Sequence, residues 1–208
     1  MDPRLFKAPY IAKGIIWTEA DSFRKKYAPQ GSLPIDIHGM VEFDLGLELR
    51  PISNLKEATD VDALLLGDLT TIVIDSALYM DDRMLNRVRY SLAHEVGHLI
   101  LHSEIYKKIA YSSVEEWINF FQAIPDNEYY WIEQHAYEFA GRLLVPPDAL
   151  RCYMSENITR AEEGGFSGWD RSGEAALEYI SHSIARHFGV SEQVIARRLV
   201  IEGFWKIR

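Results

Sequence analysis

Residues 94–98 of the chain read His-Glu-Val-Gly-His, so two histidines lie four positions apart with a glutamate beside the first. On a helix, His94 and His98 are about 40° apart around the axis, and both imidazoles can reach one Zn²⁺ at ~2.0–2.1 Å. Glu95 lies beside them and can accept a proton from a metal-bound water. The pattern predicts a zinc site with His94 and His98 as ligands and Glu95 as the catalytic general base. The alternative is a helix with a solvated His/Glu face.

The helix that must carry these groups is predicted over Leu85–His102, where apolar residues form one stripe and polar residues an adjacent one. Because the polar stripe borders the apolar stripe, which faces the core, we expect it to form the wall of a cleft. Gly97 costs ~1 kcal/mol in helix propensity relative to alanine, and it lets another element approach closely. His102 lies ~12 Å along the axis from His94, too far to complete a tetrahedral site. We therefore predict that His102 supports the site without being a ligand.

A third ligand is expected on the next helix, Tyr130–Leu144. Glu133 falls within the apolar arc of that helix, and a carboxylate there is costly unless it is paired or binds a metal. Glu133 is thus the best third ligand, and the alternative is a salt bridge to Arg87 or Arg89. The opposite, polar face of the helix is predicted to hold His135, Glu138 and Arg142.

Around these two helices, the pattern predicts a few early strands followed by many helices, which indicates an α+β fold. Strands are predicted at Val41–Leu49, from alternation, and at Thr70–Ile74, from a β-branched run. Two prolines, Pro146 and Pro147, end the second ligand helix. An exposed loop with four glycines is predicted at Glu162–Gly173. Further helices are expected at Ile16–Tyr27, Val114–Ala123, Ala175–His187 and Ser191–Ile201.

The composition and the apolar runs of the sequence argue against disulfide-rich, secreted and membrane-spanning proteins. The single cysteine, Cys152, excludes an internal disulfide framework. Residues Met1–Tyr10 contain no apolar run typical of a secretory signal, and no apolar stretch is long enough to span a bilayer. We expect a cytoplasmic protein with one domain over residues 1–208. Its core is placed at about residues 16–146 and a helical part at about residues 174–203.

The C-terminal segment Ile184–Leu199 reads as helix, glycine turn, serine N-cap and helix, which is typical of a helix-turn-helix unit. One interpretation is DNA contact by Arg197 and Arg198. The other is a packing unit in an acidic protein. The formal charge of −9, from 31 acidic residues against 22 lysines and arginines, favours the second, because DNA binding needs clustered positive charge. We therefore predict no DNA-binding residue.

Two segments resemble the ImmA/IrrE metallopeptidase family. Arg87–His102 follows the family pattern R-x-R-x-[ST]-L-A-H-E-h-G-H-h-h-L-H, in which h is apolar. Glu133–Pro146 follows the pattern E-x-x-A-x-x-F-A-x-x-L-L-x-P. Leu33–Ile37 is similar to an early turn of the family, and Thr71–Asp75 to its central strand. The resemblance covers roughly residues 16–146.

The resemblance implies a zincin-like domain with a small β-sheet, an active-site helix and a helical C-terminal part. It also implies Zn²⁺ held by His94, His98 and Glu133, with Glu95 as general base. Members of the family are often encoded beside helix-turn-helix repressors, and several inactivate such a repressor by cutting it in stress responses or mobile-element induction. The expected function is therefore a zinc-dependent endopeptidase whose protein substrate is a helix-turn-helix repressor encoded nearby.

Three features refine this expectation. Tyr137 and Tyr90 are candidate donors to the oxyanion of the reaction, and the strand Thr70–Ile74 could pair with an extended peptide. The aromatic segment Tyr111–Tyr130 is an enlarged connection between the ligand helices. The main alternative is a non-catalytic regulator or toxin–antitoxin partner that binds a repressor or antitoxin protein, with zinc structural or absent. Three ligands and an adjacent Glu95 favour an open, catalytic site instead.

Overall fold

The computed structural model describes residues 2–109, 111–164 and 173–206. These residues form ten α-helices and a three-stranded sheet, so the predicted α+β class is confirmed. The strands are β1 (Glu48–Ile52), β2 (Ala63–Leu65) and β3 (Thr71–Asp75). The helices are α1 (Lys13–Tyr27), α2 (Ile37–Gly39), α3 (Leu55–Thr59), α4 (Ser76–Tyr79), α5 (Leu85–Ile109), α6 (Val114–Phe121), α7 (Asp126–Leu144), α8 (Pro147–Glu163), α9 (Glu174–Phe188) and α10 (Glu192–Ile201).

The sheet has the strand order β1-β3-β2, with β1 parallel and β2 antiparallel to the central strand. All five residues of β3 are buried, as expected of a β-branched run covered on both faces. The predicted strand Thr70–Ile74 is therefore confirmed. Because β3 is paired along both of its edges, the prediction that this strand could pair with an extended peptide is wrong. The sheet edge that faces α5 belongs to β2.

The strand predicted over Val41–Leu49 is wrong for most of its length. Residues Met40–Asp44 form a π-helical turn, and β1 begins only at Glu48. The side chain of Asp36 accepts a hydrogen bond from the backbone N–H of Gly39 and so starts a helical turn just before this segment. Met40 and its neighbour Val41 are both buried, which suits a helical turn and not the alternation of a strand.

The predicted helix Leu85–His102 is confirmed and continues to Ile109 as α5. It packs lengthwise on α7, and Gly97 contacts α7 directly. The other face of α7 packs on α1, so this helix lies between two others. This arrangement buries both sides of α7 and places the two predicted ligand helices against each other.

The remaining helices of eight residues or more follow the sequence with one omission, and the short helices α2, α3 and α4 were not predicted. Helix α7 ends at Leu144, as the two prolines predict, but Pro147 then begins α8, which the sequence analysis did not predict. A proline in the first turn of a helix is compatible with helix formation, because its missing N–H has no partner there in any case. Of the predicted loop Glu162–Gly173, the first two residues end α8, and residues 165–172 lie outside the described residues.

The C-terminal pair of helices has the predicted form. Gly189 ends α9 with a left-handed backbone, at φ 61°, and the Ser191 hydroxyl accepts a hydrogen bond from the backbone N–H of Val194 at the start of α10. Helices α9 and α10 pack on each other, and α10 also contacts α7. Among the described helices, none combines the length and the apolar character needed to cross a membrane. The division into a single domain over the whole chain stays a prediction.

Candidate metal centre

Two histidines from α5 and one glutamate from α7 converge at one point. The Nε2 atoms of His94 and His98 are 3.0 Å apart. The carboxylate of Glu133 lies across them, with Oε2 3.2 Å from Nε2 of His94 and Oε1 3.4 Å from Nε2 of His98. Both histidines are buried, whereas the Glu133 side chain is 18% exposed because it borders a cleft. The structure thus brings together the three side chains that the sequence predicts as ligands.

The alternative partners of Glu133 are engaged elsewhere. Arg87 donates to both carboxylate oxygens of Asp62, at 2.6 and 2.7 Å, and Arg89 donates to the carbonyl oxygen of Ile35 at 2.7 Å. Burial opposes ionisation of Glu133, but hydrogen bonds from the two histidines outweigh it and lower the pKa of this carboxyl well below its usual range. Glu133 is therefore an ionised carboxylate held against two imidazoles.

The spacing of these three groups fits a zinc ion. Donors around a tetrahedral metal are about 1.6 bond lengths apart, which is ~3.3–3.4 Å for zinc. The three separations in the structure, 3.0, 3.2 and 3.4 Å, are close to this value. Two imidazole nitrogens and one carboxylate also form a donor set that catalytic zinc sites use, with a fourth position left for water or substrate. The residues present at this centre thus fit Zn²⁺.

Glu95 is held differently from Glu133, although it also lies close to both histidines. His94, Glu95 and His98 offer ligand atoms within 4.8 Å of one another. One oxygen of Glu95, Oε2, accepts a hydrogen bond of 2.7 Å from the backbone N–H of Leu65 in β2. Glu133 spans both Nε2 atoms, as a third ligand would, whereas Glu95 is anchored to the sheet. The anchor at Leu65 is a functional contact that the sequence analysis missed.

The electrostatics of Glu95 suit a proton acceptor. Burial raises the pKa of its carboxyl, and the nearby His98 and His94 oppose this rise only in part. A carboxyl with a raised pKa binds a proton more readily near neutral pH than an ordinary surface carboxyl does. For His94, burial disfavours the charged ring, but the hydrogen bond and charge of Glu133 outweigh it and raise the pKa.

His102 supports His98 from behind and lies outside the ligand group. Its Nδ1 is 3.1 Å from Nδ1 of His98, the ring nitrogen that faces away from the centre. Its Nε2 is 3.3 Å from Nδ1 of His135 on α7. Burial, together with the neighbouring His98, lowers the pKa of His102 well below its ordinary value, so this ring is neutral. A hydrogen bond at this position fixes the tautomer and the orientation of a ligand ring.

The side of α7 that was predicted to be polar, with His135, Glu138 and Arg142, is covered by other helices. His135 and Glu138 are buried, because α1 and α10 cover this side of the helix. The carboxylate of Glu138 accepts from Arg198 at 2.6 Å and from the indole N–H of Trp17. Arg198 is itself buried by these contacts, which removes it from the surface where the DNA-contact interpretation placed it.

A cleft of about 260 Å³ opens beside the centre, between β2 and the two ligand helices. Trp117 and Tyr129, from the aromatic segment Tyr111–Tyr130, form part of its lining. Tyr111 also donates to the carbonyl oxygen of Leu65 at 2.7 Å. The aromatic connection between the ligand helices therefore packs as one wall of the cleft and holds β2 in place.

The two tyrosines proposed as oxyanion donors differ in availability. The hydroxyl of Tyr90 donates to the backbone carbonyl of Tyr137 at 3.3 Å, and burial raises the pKa of Tyr90 to about 12. The ring of Tyr137 lies 4.4 Å from the ring of His94 and borders the cleft. Burial and then the charge of Glu133 raise the pKa of Tyr137, so its hydroxyl stays protonated. Among the described residues, we find no acceptor for that hydroxyl, which leaves it free to donate.

A family model for the IrrE N-terminal-like domain, Peptidase_M78, matches residues 78–200, which is more than half of the chain. The chain belongs to this peptidase family. The matched region contains α5 and α7 and therefore every residue of the centre described above except the contacts from β2. Membership confirms the resemblance to the ImmA/IrrE peptidases, and this M78 family implies a metal and a protein substrate. A comparison with curated proteins gives no match.

Proposed function

We propose that the protein is a zinc-dependent endopeptidase, in which His94, His98 and Glu133 hold Zn²⁺ and Glu95 is the general base. The observation that carries this proposal is the placement of the two carboxylates. Glu133 spans both imidazole Nε2 atoms, whereas Glu95 is fixed by Leu65 on the other side of the same centre. One glutamate is thus available to bind the metal and the other to move a proton.

When bound, zinc acidifies a water molecule and polarises the scissile carbonyl. Glu95 accepts the proton of the attacking water and later transfers it to the leaving amine. Because Oε2 of Glu95 is occupied by the N–H of Leu65, its other oxygen, Oε1, is the atom that carries this proton. The hydroxyl of Tyr137 donates a hydrogen bond to the oxyanion that develops on the carbonyl oxygen.

The edge of β2 is the place where an extended substrate can pair with the sheet. In the antiparallel register with β3, the backbone groups of Ala63 and Leu65 point away from β3. The N–H of Leu65 donates to Glu95 and its carbonyl oxygen accepts from Tyr111. For the N–H and the carbonyl of Ala63 we find no partner among the described residues. Ala63 also borders the cleft, so an extended peptide hydrogen-bonded there would lie along the metal centre.

The substrate that we propose is a helix-turn-helix repressor encoded nearby, in a cytoplasmic stress or mobile-element pathway. This part of the proposal rests on the family to which the chain belongs. A protein substrate of this kind has to present an extended segment to the cleft, since the pairing at Ala63 requires a strand-like backbone.

The deciding experiment compares the wild type with Glu95→Gln, which keeps the size of the side chain and removes the base. We expect Glu95→Gln to retain zinc and fold but to cleave the neighbouring repressor at least about a hundredfold more slowly. Products are identified by mass spectrometry, and Glu178→Gln, at an exposed position of α9, is the matched control. If the wild type never cuts the repressor, while wild type and Glu95→Gln bind it and relieve repression equally, the protein is a sequestering regulator and not a peptidase.

A further inference from the structure

A second cavity of about 620 Å³ lies beside the other face of α7 and shares no lining residue with the metal cleft. We call it the second pocket and define it by Lys7, Tyr10, Lys13, Trp131, His135 and Arg197. Its volume is within the range that holds small organic ligands in proteins. Nothing in the peptidase function uses this cavity.

Aromatic and aliphatic side chains form the walls of the second pocket. Trp131 is 54% exposed and Tyr10 is 92% exposed, although both are large apolar groups. Pro9, Ile11 and Ile16 complete the apolar lining. Two exposed aromatic side chains beside a concave surface are a feature of ligand-binding grooves, because they offer contact area with few rotatable bonds. The pocket therefore suits a ligand with an apolar body.

The polar groups of the second pocket leave a surplus of positive charge. Glu128 accepts from Lys7 at 2.9 Å and from the backbone N–H of Ala8 at 2.8 Å, so this acid is neutralised. Glu138 is neutralised in the same way by Arg198, as described above.

Among the described residues, the hydrogen bond of Arg197 is made to a neutral amide, that of Gln134 at 3.1 Å, and Lys13 lies over the ring of Trp17 at 4.7 Å. Both cations border the second pocket. In a chain with a formal charge of −9, this local excess of positive charge favours an anionic ligand.

His135 connects the second pocket to the metal centre through a chain of ring nitrogens. A metal bound at Nε2 of His98 leaves the proton of that ring on Nδ1, which therefore donates to Nδ1 of His102. His102 then carries its proton on Nε2 and donates to Nδ1 of His135. His135 in turn carries its proton on Nε2, for which we find no acceptor among the described residues. The ring of His135 is largely buried, and its N–H donor is thus left at the wall of the second pocket.

We propose that the second pocket binds a small organic carboxylate with an aromatic or branched apolar body, and that its occupancy strengthens zinc binding through His135, His102 and His98. The carboxylate accepts from Nε2 of His135 and lies near Arg197 and Lys13, while its apolar body packs on Trp131 and Tyr10. The second half of this proposal rests on the proposed zinc site. An anionic acceptor at the end of such a chain makes the ligand imidazole a stronger donor to its metal.

The binding site is tested by calorimetric titration with phenylacetate and isovalerate, and with phenylacetamide as the neutral analogue. We expect at least one acid to bind with a Kd below about 1 mM, and the amide to bind at least about fivefold more weakly. Trp131→Ala and Arg197→Gln should each weaken binding at least about fivefold, whereas Lys25→Gln, at an exposed position of α1, should not. The site is refuted if neither acid saturates below about 10 mM, or if the amide binds as tightly as the acid.

The coupling is tested by competing a chelator for zinc with and without saturating phenylacetate. We expect zinc affinity to rise at least about threefold, and phenylacetate to bind the zinc form more tightly than the metal-free form by the same factor. His102→Asn keeps an acceptor for His98 but cannot reach His135, so it should abolish the coupling and leave phenylacetate binding intact.

Equal binding of phenylacetate to both forms of the wild type would refute the coupling. A protein that binds no zinc would refute the proposed peptidase function alone, since titration of the metal-free chain still decides whether the second pocket binds acids.

Discussion

A Cβ atom on Gly97 of α5 would lie 3.1 Å from Cα and 3.2 Å from the carbonyl oxygen of Ala136 on α7. The two helices therefore meet backbone against backbone beside the metal centre, between His94 and His98 on α5 and three positions after Glu133 on α7. This contact sets the distance between the histidines on α5 and Glu133 on α7. The helix-propensity cost of a glycine is offset here by the geometry that it permits.

Gly97→Ala should consequently push α7 away from α5 and weaken the metal site. We expect a loss of ~1–3 kcal/mol in the free energy of unfolding and at least about a tenfold loss of zinc affinity. Gly14→Ala in α1 is the control, because a Cβ there meets no atom within 4 Å. That variant should be neutral or gain up to ~1 kcal/mol. Denaturant titration and chelator competition measure the two effects, and equal zinc affinity in Gly97→Ala and wild type would contradict this explanation.

One Zn²⁺ per chain is expected in protein purified without added metal. His98→Ala and Glu133→Gln should each lose the metal, because each removes a donor from a three-residue site. His102→Ala should keep the stoichiometry but bind zinc about 10–100-fold more weakly, since it removes the hydrogen bond that orients His98 and leaves all three ligands in place. Elemental analysis gives the stoichiometry. A wild-type protein with no zinc, which added zinc does not restore, would rule the site out.

The sequence predicted the parts of the site that are local in the chain. His94, Glu95 and His98 lie within five residues on one helix, so their spacing alone places them together. The prediction of Glu133 depended on the helical periodicity of its segment and on the family pattern. The contact from Leu65 to Glu95 joins residues thirty positions apart, and no local pattern carries it.

The burial of the polar side of α7 is also a contact that no local pattern carries. The periodicity of a single helix identifies polar residues, but it does not show whether another element covers them. Glu138 is buried because Trp17 and Arg198, from opposite ends of the chain, supply its hydrogen bonds. The strand was wrongly predicted at Val41–Leu49 because apolar and polar residues alternate there over a short stretch. The side chain of Asp36 caps a helical turn just before this stretch, and the chain continues as a helical turn instead.

Substitutions of two adjacent arginines on α10 should differ widely in their effect on stability. Arg198 is 2% exposed and pairs with Glu138 and Glu202. Arg198→Met therefore leaves the buried carboxylate of Glu138 without its cation, whereas Glu202 keeps its pair with Arg142. We expect a loss of ~3–5 kcal/mol in the free energy of unfolding. Arg197 is exposed, and Arg197→Ala should change that free energy by less than about 0.5 kcal/mol. Urea titration of both variants checks this, and a loss below about 1 kcal/mol for Arg198→Met would show that the pair is not needed for stability.

Asp75, at the end of β3, should make the stability of the fold depend on pH in the acid range. Its carboxylate accepts from the backbone N–H groups of Lys56, Ala77 and Leu78, at 3.0, 3.0 and 3.2 Å, and so joins two short helices to the central strand. The N–H of Lys56 has the largest effect in lowering the pKa of this carboxyl below its ordinary value. The folded state therefore releases the proton of Asp75 more readily than the unfolded chain does.

A depressed folded-state pKa adds stability above the unfolded value of 3.8, and that stability is lost as the pH falls through the folded pKa. Asp75→Asn keeps the shape of the side chain but removes its charge, so it should cost ~1–3 kcal/mol at about pH 7. The gap between variant and wild type should narrow below about pH 4, where the unfolded wild-type chain begins to bind a proton at Asp75 that the folded state does not yet bind. Asp44→Asn, at an exposed position, is the control and should stay within about 0.5 kcal/mol of wild type. Urea titrations of the three proteins over this pH range measure the gap, and a gap that stays constant down to about pH 3 would show that the charge of Asp75 does not stabilise the fold.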